Sequence, residues 1–236
     1  MTSPASIQEL GRLLKVRLEE WRRQEEPSPD RSKPVITITR EPGSGAKSIA
    51  ERLCSELGFH LYDWEVVERI AKDEDVSAQL VSALEQKPPG EFKEWLTELH
   101  AELQGQDRLS SQAYVSSLKR VLFAIAVAGN AVVVGRGSSF FLPTDKRIAL
   151  CFVAPLAVRI KATMNELGVT EGAARKHISK LEGEHRKLVK KHFAADIRDP
   201  AHYHLVINTA LVRPDTIVQL VKTLIQTIQP EKGEQP

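Results

Sequence analysis

Residues Thr37–Leu53, TITREPGSGAKSIAERL, decide how the chain folds. The stretch opens in β-branched residues and passes through four consecutive small ones, Gly43, Ser44, Gly45 and Ala46. It then enters a segment in which Ile49, Leu53 and Leu57 recur every four residues until Gly58. The first part reads as the end of a buried strand, the last as an amphipathic helix stopped by glycine. Against the phosphate-loop pattern G-x-x-x-x-G-K-[ST], Glu41 stands at the first glycine and Ala46 at the second. Only Lys47-Ser48 match outright.

Phosphate oxygens are met by backbone N–H groups at a helix N-terminus, where the helix dipole adds partial positive charge. The chain must curl tightly there, which small residues allow. Gly43, Ser44, Gly45 and Ala46 supply that curl between a strand and a helix. Lys47 would offer an ammonium to the β- and γ-phosphates of ATP, and Ser48 a hydroxyl to Mg²⁺. The same residues would also serve as a plain strand-to-helix turn with Lys47 in solvent.

The 236 residues, 42% hydrophobic and 27% charged, have the composition of a globular chain that can bury a full core. With 33 basic and 31 acidic side chains the net charge is +2, so no global field points to nucleic acid. The charged N-terminus lacks the apolar run of a signal peptide. The most apolar stretch, VLFAIAVAGNAVVVG at 121–135, is too short to span a bilayer and is broken by Gly129-Asn130. No membrane partner and a cytoplasmic location are expected, with Cys54 and Cys151 as buried thiols.

Ile7, Leu10, Leu14, Leu18 and Trp21 mark an amphipathic helix over 7–23, followed by the linker EEPSPDRSKP. Residues 1–33 therefore form an appendage that packs on the domain or pairs with a second copy as a homodimer. The domain is expected over 34–229, with a tail at 230–236. Strands VITIT, FHLY, 131–134, 147–153 and 205–207 alternate with helices at 64–71, 118–128, 155–167, 171–193 and after Pro214. That alternation indicates an α/β fold of three layers around a parallel sheet. Residues 77–117 are polar and irregular, an inserted or flanking helical region.

The segment ITITREPGSGAKSIAERLCSELGFHLYDWEVV resembles the opening of the cytidylate kinase-like family, which has an Arg-Glu-x-Gly-Ser-Gly-Gly loop and a Phe-x-x-Tyr-Asp segment. VVVGRGSSFFLP, CFVAPLAVRI and DPAHYHLVINT continue the resemblance to about residue 220. It implies a P-loop kinase domain with a helical lid near 168–200, transferring phosphoryl from ATP, with Mg²⁺, to a nucleoside monophosphate. CMP is the first expected acceptor. A regulatory nucleotide-binding module with little turnover and a kinase of a non-nucleotide small molecule are the alternatives.

The resemblance also suggests roles. Arg136, in a turn flanked by glycines, suits bidentate contact with an acceptor phosphate, or else a surface ion pair. In cytidylate kinases a Gly-Arg-Asp element stands there; here Gly137 replaces the aspartate, as in the kinase-like group that the chain resembles, which leaves the acid's role vacant or filled elsewhere. Asp63 would bind the acceptor, take its proton, hold a metal-bound water, or cap the following helix. Arg159 matches an arginine near the adenine and phosphates, and would otherwise be an exposed helix charge. On the basic helix 171–193, Glu182 and His185 stand where the family shows Asp-x-x-Arg, and Lys190-Lys191 where it shows Arg-Arg. His185 or Arg186 would be the lid cation, unless the helix is a solvated face. His202, Tyr203 and His204 are given no chemistry.

Overall fold

A computed structural model describes residues 34–72, 111–135, 137–142, 144 and 147–228, together with 9, 12 and 14–16. Of the expected N-terminal helix, Glu9, Arg12, Leu14, Lys15 and Val16 are helical, and Leu14 is fully buried. Its other residues, the linker and the region 73–110 lie outside the described residues. The chain divides into two compact units, Met1–Lys33 with Asp63–Gly129 and Pro34–Tyr62 with Asn130–Pro236.

The second unit carries the sheet. Strands β1 (Val35–Arg40), β2 (His60–Asp63, its last residue falling in the first unit), β3 (Ala131–Val134), β4 (Ile148–Val153) and β5 (Leu205–Asn208) lie in the order β2-β3-β1-β4-β5. β1 runs parallel to both β3 and β4, and β4 parallel to β5. Valines, isoleucines and alanines fill β3 and β4, whose residues are almost all buried, as a parallel sheet covered on both faces requires. The helices are α1 (Ala46–Leu57), α2 (Trp64–Lys72), α3 (Ser111–Ala128), α4 (Leu156–Leu167), α5 (Glu171–Phe193) and α6 (Pro214–Ile228).

One sheet face, with Ile36, Ile38, Val134, Leu150 and Phe152, packs against Ile49 and Leu53 of α1 and Ile217, Val218 and Val221 of α6. Truncating a fully buried member such as Leu53 to alanine costs about 2–5 kcal/mol. The opposite face places Thr37 and Thr39 against Ser139, with hydroxyl oxygens 3.0 and 3.2 Å apart. Both thiols, Cys54 and Cys151, are buried and free, and burial pushes each up to about 12, so neither is a nucleophile at neutral pH. No helix among the described residues is long and apolar enough to cross a membrane.

In the first unit α2 and α3 pack together. α3 begins at Ser111, seven residues before the expected Leu118. The added segment, SQAYVSS, lacks the apolar spacing that marks the rest of the helix. Asp63 is the last residue of β2, one position inside the strand that was expected to end at Tyr62.

His204 has a structural place. Its Nδ1 accepts from the Ala149 N–H at 3.0 Å while its own N–H donates to Ala149 O at 2.7 Å, splicing β5 onto β4. Burial first, and then Arg147, hold its pKa below 6.5. The folded state therefore binds its proton less readily than the unfolded state. The stability is complete above pH 6.5 and is lost as pH falls through the lowered value. A His204→Asn variant, which keeps an acceptor, is expected to lose less melting temperature than wild type between pH 7 and 5. Equal losses would remove His204 from the acid response.

Candidate active site

The loop between β1 and α1 follows the carboxyl end of β1, which lies between β3 and β4, at the edge where doubly wound sheets bind ligands. Gly45 precedes α1 in the left-handed conformation, and no side chain caps the helix. Its first-turn amides are therefore left for a ligand. The Ser44 N–H donates to Glu41 O at 3.1 Å, and the Thr209 hydroxyl donates to Ser44 O at 2.7 Å, tying the loop to the end of β5. Ser44 Oγ is buried without a hydrogen-bond partner, an orphan that a phosphate oxygen would satisfy. Lys47 and Ser48 are exposed on the first turn.

Both departures from the glycine pattern have physical explanations. Ala46 is 2% exposed and its methyl joins the core under α1, on the side away from solvent. Glu41 does not present a bare carboxylate. Its Oε2 accepts from the Ala154 N–H at 3.0 Å and lies 3.3 Å from Arg159 Nε. Gly43 is obligatory: at φ +79° a Cβ would stand 2.5 Å from the Arg159 carbonyl oxygen.

Beside the loop a pocket of about 310 Å³ opens under α5. Cys151, Val153 and Val206 line it from β4 and β5, and Glu182, His185 and Arg186 from α5. Arg40, Arg159, Ile197 and Arg198 also line it. Thr170 caps α5 by accepting from the Ala173 N–H, and the helix runs to Phe193 as its pattern indicates. Its N-terminal half packs Ala174 and Ile178 on Ile160 of α4. Its C-terminal half is anchored: Val189 is fully buried and Phe193 stacks edge-on to Phe141 at 4.9 Å. Tyr203 supports this end, donating from its hydroxyl to Ile197 O at 2.6 Å.

Charges in the pocket are unevenly matched. Arg198 is paired to Asp196, whose carboxyl is held below the usual range by the Arg198 backbone N–H and guanidinium. Arg159 is 6% exposed and held by Glu41 and Glu182. Arg40 Nε is buried without a partner. Arg186 is exposed, its Nε donating to Glu182 O at 3.4 Å. His185, the other lid candidate, is 7% exposed. Lys190 and Lys191 are exposed and do not line the pocket.

The structure thus gathers Gly43–Ser48, Arg159, His185 and Arg186 at one edge of the sheet. Arg136 lies outside the described residues, and Asp63 ends β2. The sequence reading gave no role to Arg40, Arg198 or Thr209. Arg40 was legible as the residue joining strand to loop; Arg198 and Thr209 carried no local signal.

The model of the cytidylate kinase-like family matches residues 35–211. The chain belongs to that family. By family it is a nucleotide kinase, and the class of chemistry is phosphoryl transfer. A cytidylate kinase of Pyrococcus horikoshii is 25% identical over 201 residues, covering 85% of this chain and 92% of the relative. One from Thermococcus sibiricus is 27% identical over 199 residues, covering 84% and 90%. Among solved structures, an uncharacterized protein from Eubacterium ventriosum shares the fold with a TM-score of 0.54 at 18% identity, covering 83% of this chain and 99% of that one.

Proposed function

We propose that the protein transfers the γ-phosphoryl group of ATP to a nucleoside monophosphate, with CMP the first acceptor to test. The observation that carries this is the uncapped α1 N-terminus behind Gly43, Ser44 and Gly45, with Lys47 exposed on its first turn. Loop amides and Lys47 hold the β- and γ-phosphates and offset the charge that develops between donor and acceptor. A Mg²⁺ ion brought by the nucleotide would neutralise phosphate charge, with Ser48 supplying one oxygen. Ser48 fits that role after turning from Gly45 O, to which it now donates at 2.9 Å. Among the described residues no cluster of three acidic, His or Cys side chains offers a separate metal site.

The acceptor is assigned to Asp63 and Arg136 on the family resemblance; the pocket under α5 lies on the β4–β5 side of β1 and is a separate anion site beside the loop. A lining that joins apolar Cys151, Val153 and Val206 to Arg40 and Arg186 suits a ring-bearing anion. α5 acts as the lid by its middle turns, Glu182–Arg186, which line the pocket between the Ala174–Ile178 contact with α4 and the anchored end at Val189 and Phe193. His185 and Arg186 both line the pocket, and Arg186 is the better-placed lid cation because it is exposed and permanently charged whereas His185 is buried.

The test is ADP production across a panel of nucleoside monophosphates with wild type, Arg136→Lys, Arg186→Ala and His185→Ala. Loss of the Arg136 fork is expected to raise the acceptor KM while ATP binding persists. Arg186→Ala is expected to remove most of kcat, and His185→Ala much less. Equal kcat in wild type and Arg186→Ala would remove the lid assignment.

A further inference from the structure

We propose that Arg159 is a positioning residue that couples α5 to the phosphate loop. The inference rests on the assignment of ATP to that loop, and departs from the direct nucleotide contact that the family resemblance implies for Arg159. Its side chain is 8% exposed, and two of its nitrogens, Nε and NH1, reach three segments of chain. Nε donates to Ala154 O at 2.9 Å and lies 3.3 Å from Glu41 Oε2, at the start of the loop. NH1 donates to Glu182 Oε1 at 2.6 Å, in the middle of α5.

The backbone of the same residue carries the loop as well. Gly43 comes so close to the Arg159 carbonyl that a Cβ there would stand 2.5 Å from the oxygen, and 2.9 Å from Thr163 Oγ1. Glu41 is further bound to the Ala154 N–H, so loop residues 41 and 43 both rest on the segment 154–159. One guanidinium between two carboxylates ties their segments together, and removing the arginine leaves two carboxylates without their shared cation. A displacement of α5 at Glu182 therefore reaches the loop through Arg159. Lysine cannot replace it, since a single ammonium on a flexible stem does not span both carboxylates in fixed directions.

The two roles predict opposite signs. If Arg159 bound ATP directly, Glu182→Gln would release its guanidinium and tighten ATP. As a brace it loses its hold on α5, and ATP binding weakens by roughly three- to tenfold. The experiment measures ATP·Mg²⁺ affinity by calorimetry and amide hydrogen exchange over residues 41–48 without nucleotide, in wild type, Glu182→Gln and Arg159→Lys. Faster exchange at 41–48 in both variants, with weaker ATP binding by Glu182→Gln, is the expected result. Tighter ATP binding, or wild-type exchange at 41–48 in Glu182→Gln, would overturn the brace. A wild type that binds no ATP would sink the donor-site assignment instead, and the exchange rates would still decide the brace.

Discussion

Lys47→Ala is expected to weaken ATP binding by about 1.5–3 kcal/mol, the range for hydrogen bonds to charged groups, and to lower turnover at least as much. The weakening is roughly ten- to hundredfold. Lys47 stands on the first turn of α1, exposed, and makes no ion pair among the described residues, so its removal leaves no stranded partner in the protein. The fold should survive unchanged, and the loss should fall on the nucleotide alone. Calorimetry on a variant with wild-type melting temperature separates the two effects. Unchanged affinity would mean that the loop is a plain turn.

The second large effect is expected at Gly137, where the resemblance to cytidylate kinases would set an aspartate. Restoring that acid by Gly137→Asp should damage the protein. Gly137 has φ +73°, and a Cβ there would stand 2.6 Å from Val189 Cγ2 on α5. Left-handed strain and overpacking together cost about 2–5 kcal/mol. For a chain of this size that lowers the melting temperature by roughly 5–15 °C. Val189→Ala in the same chain should return part of the loss, because it removes the colliding methyl groups. A stable and more active Gly137→Asp would show that α5 can stand away from this turn.

The glycine at 137 thus has a cause the sequence could not reveal. Seen alone it was a missing acid; in the fold it is the space into which Val189 packs. The same limit applied to Arg159, read either as a nucleotide contact or as an exposed charge, and found buried between carboxylates 118 and 23 positions away in the chain, Glu41 and Glu182. Such contacts depend on tertiary placement, and nothing local encodes them. What was legible was periodic or punctuated. The strand 131–134 followed from its β-branched run, α5 from its Thr170 cap, and the end of α1 from Gly58. The site followed the same division. Gly43–Ser48 could be read from spacing, whereas the arginines under α5 come from four separate segments.

The central claim is that this chain moves a phosphoryl group from the Gly43–Ser48 loop to a nucleoside monophosphate. Phosphorus NMR of the protein with ATP, Mg²⁺ and each nucleoside monophosphate in turn tests it most directly. ADP and the matching nucleoside diphosphate should appear in equal amounts with at least one acceptor, CMP first, and at a much lower rate with Lys47→Ala. ATP that binds but remains intact with every acceptor, or equal rates in wild type and Lys47→Ala, would contradict the account.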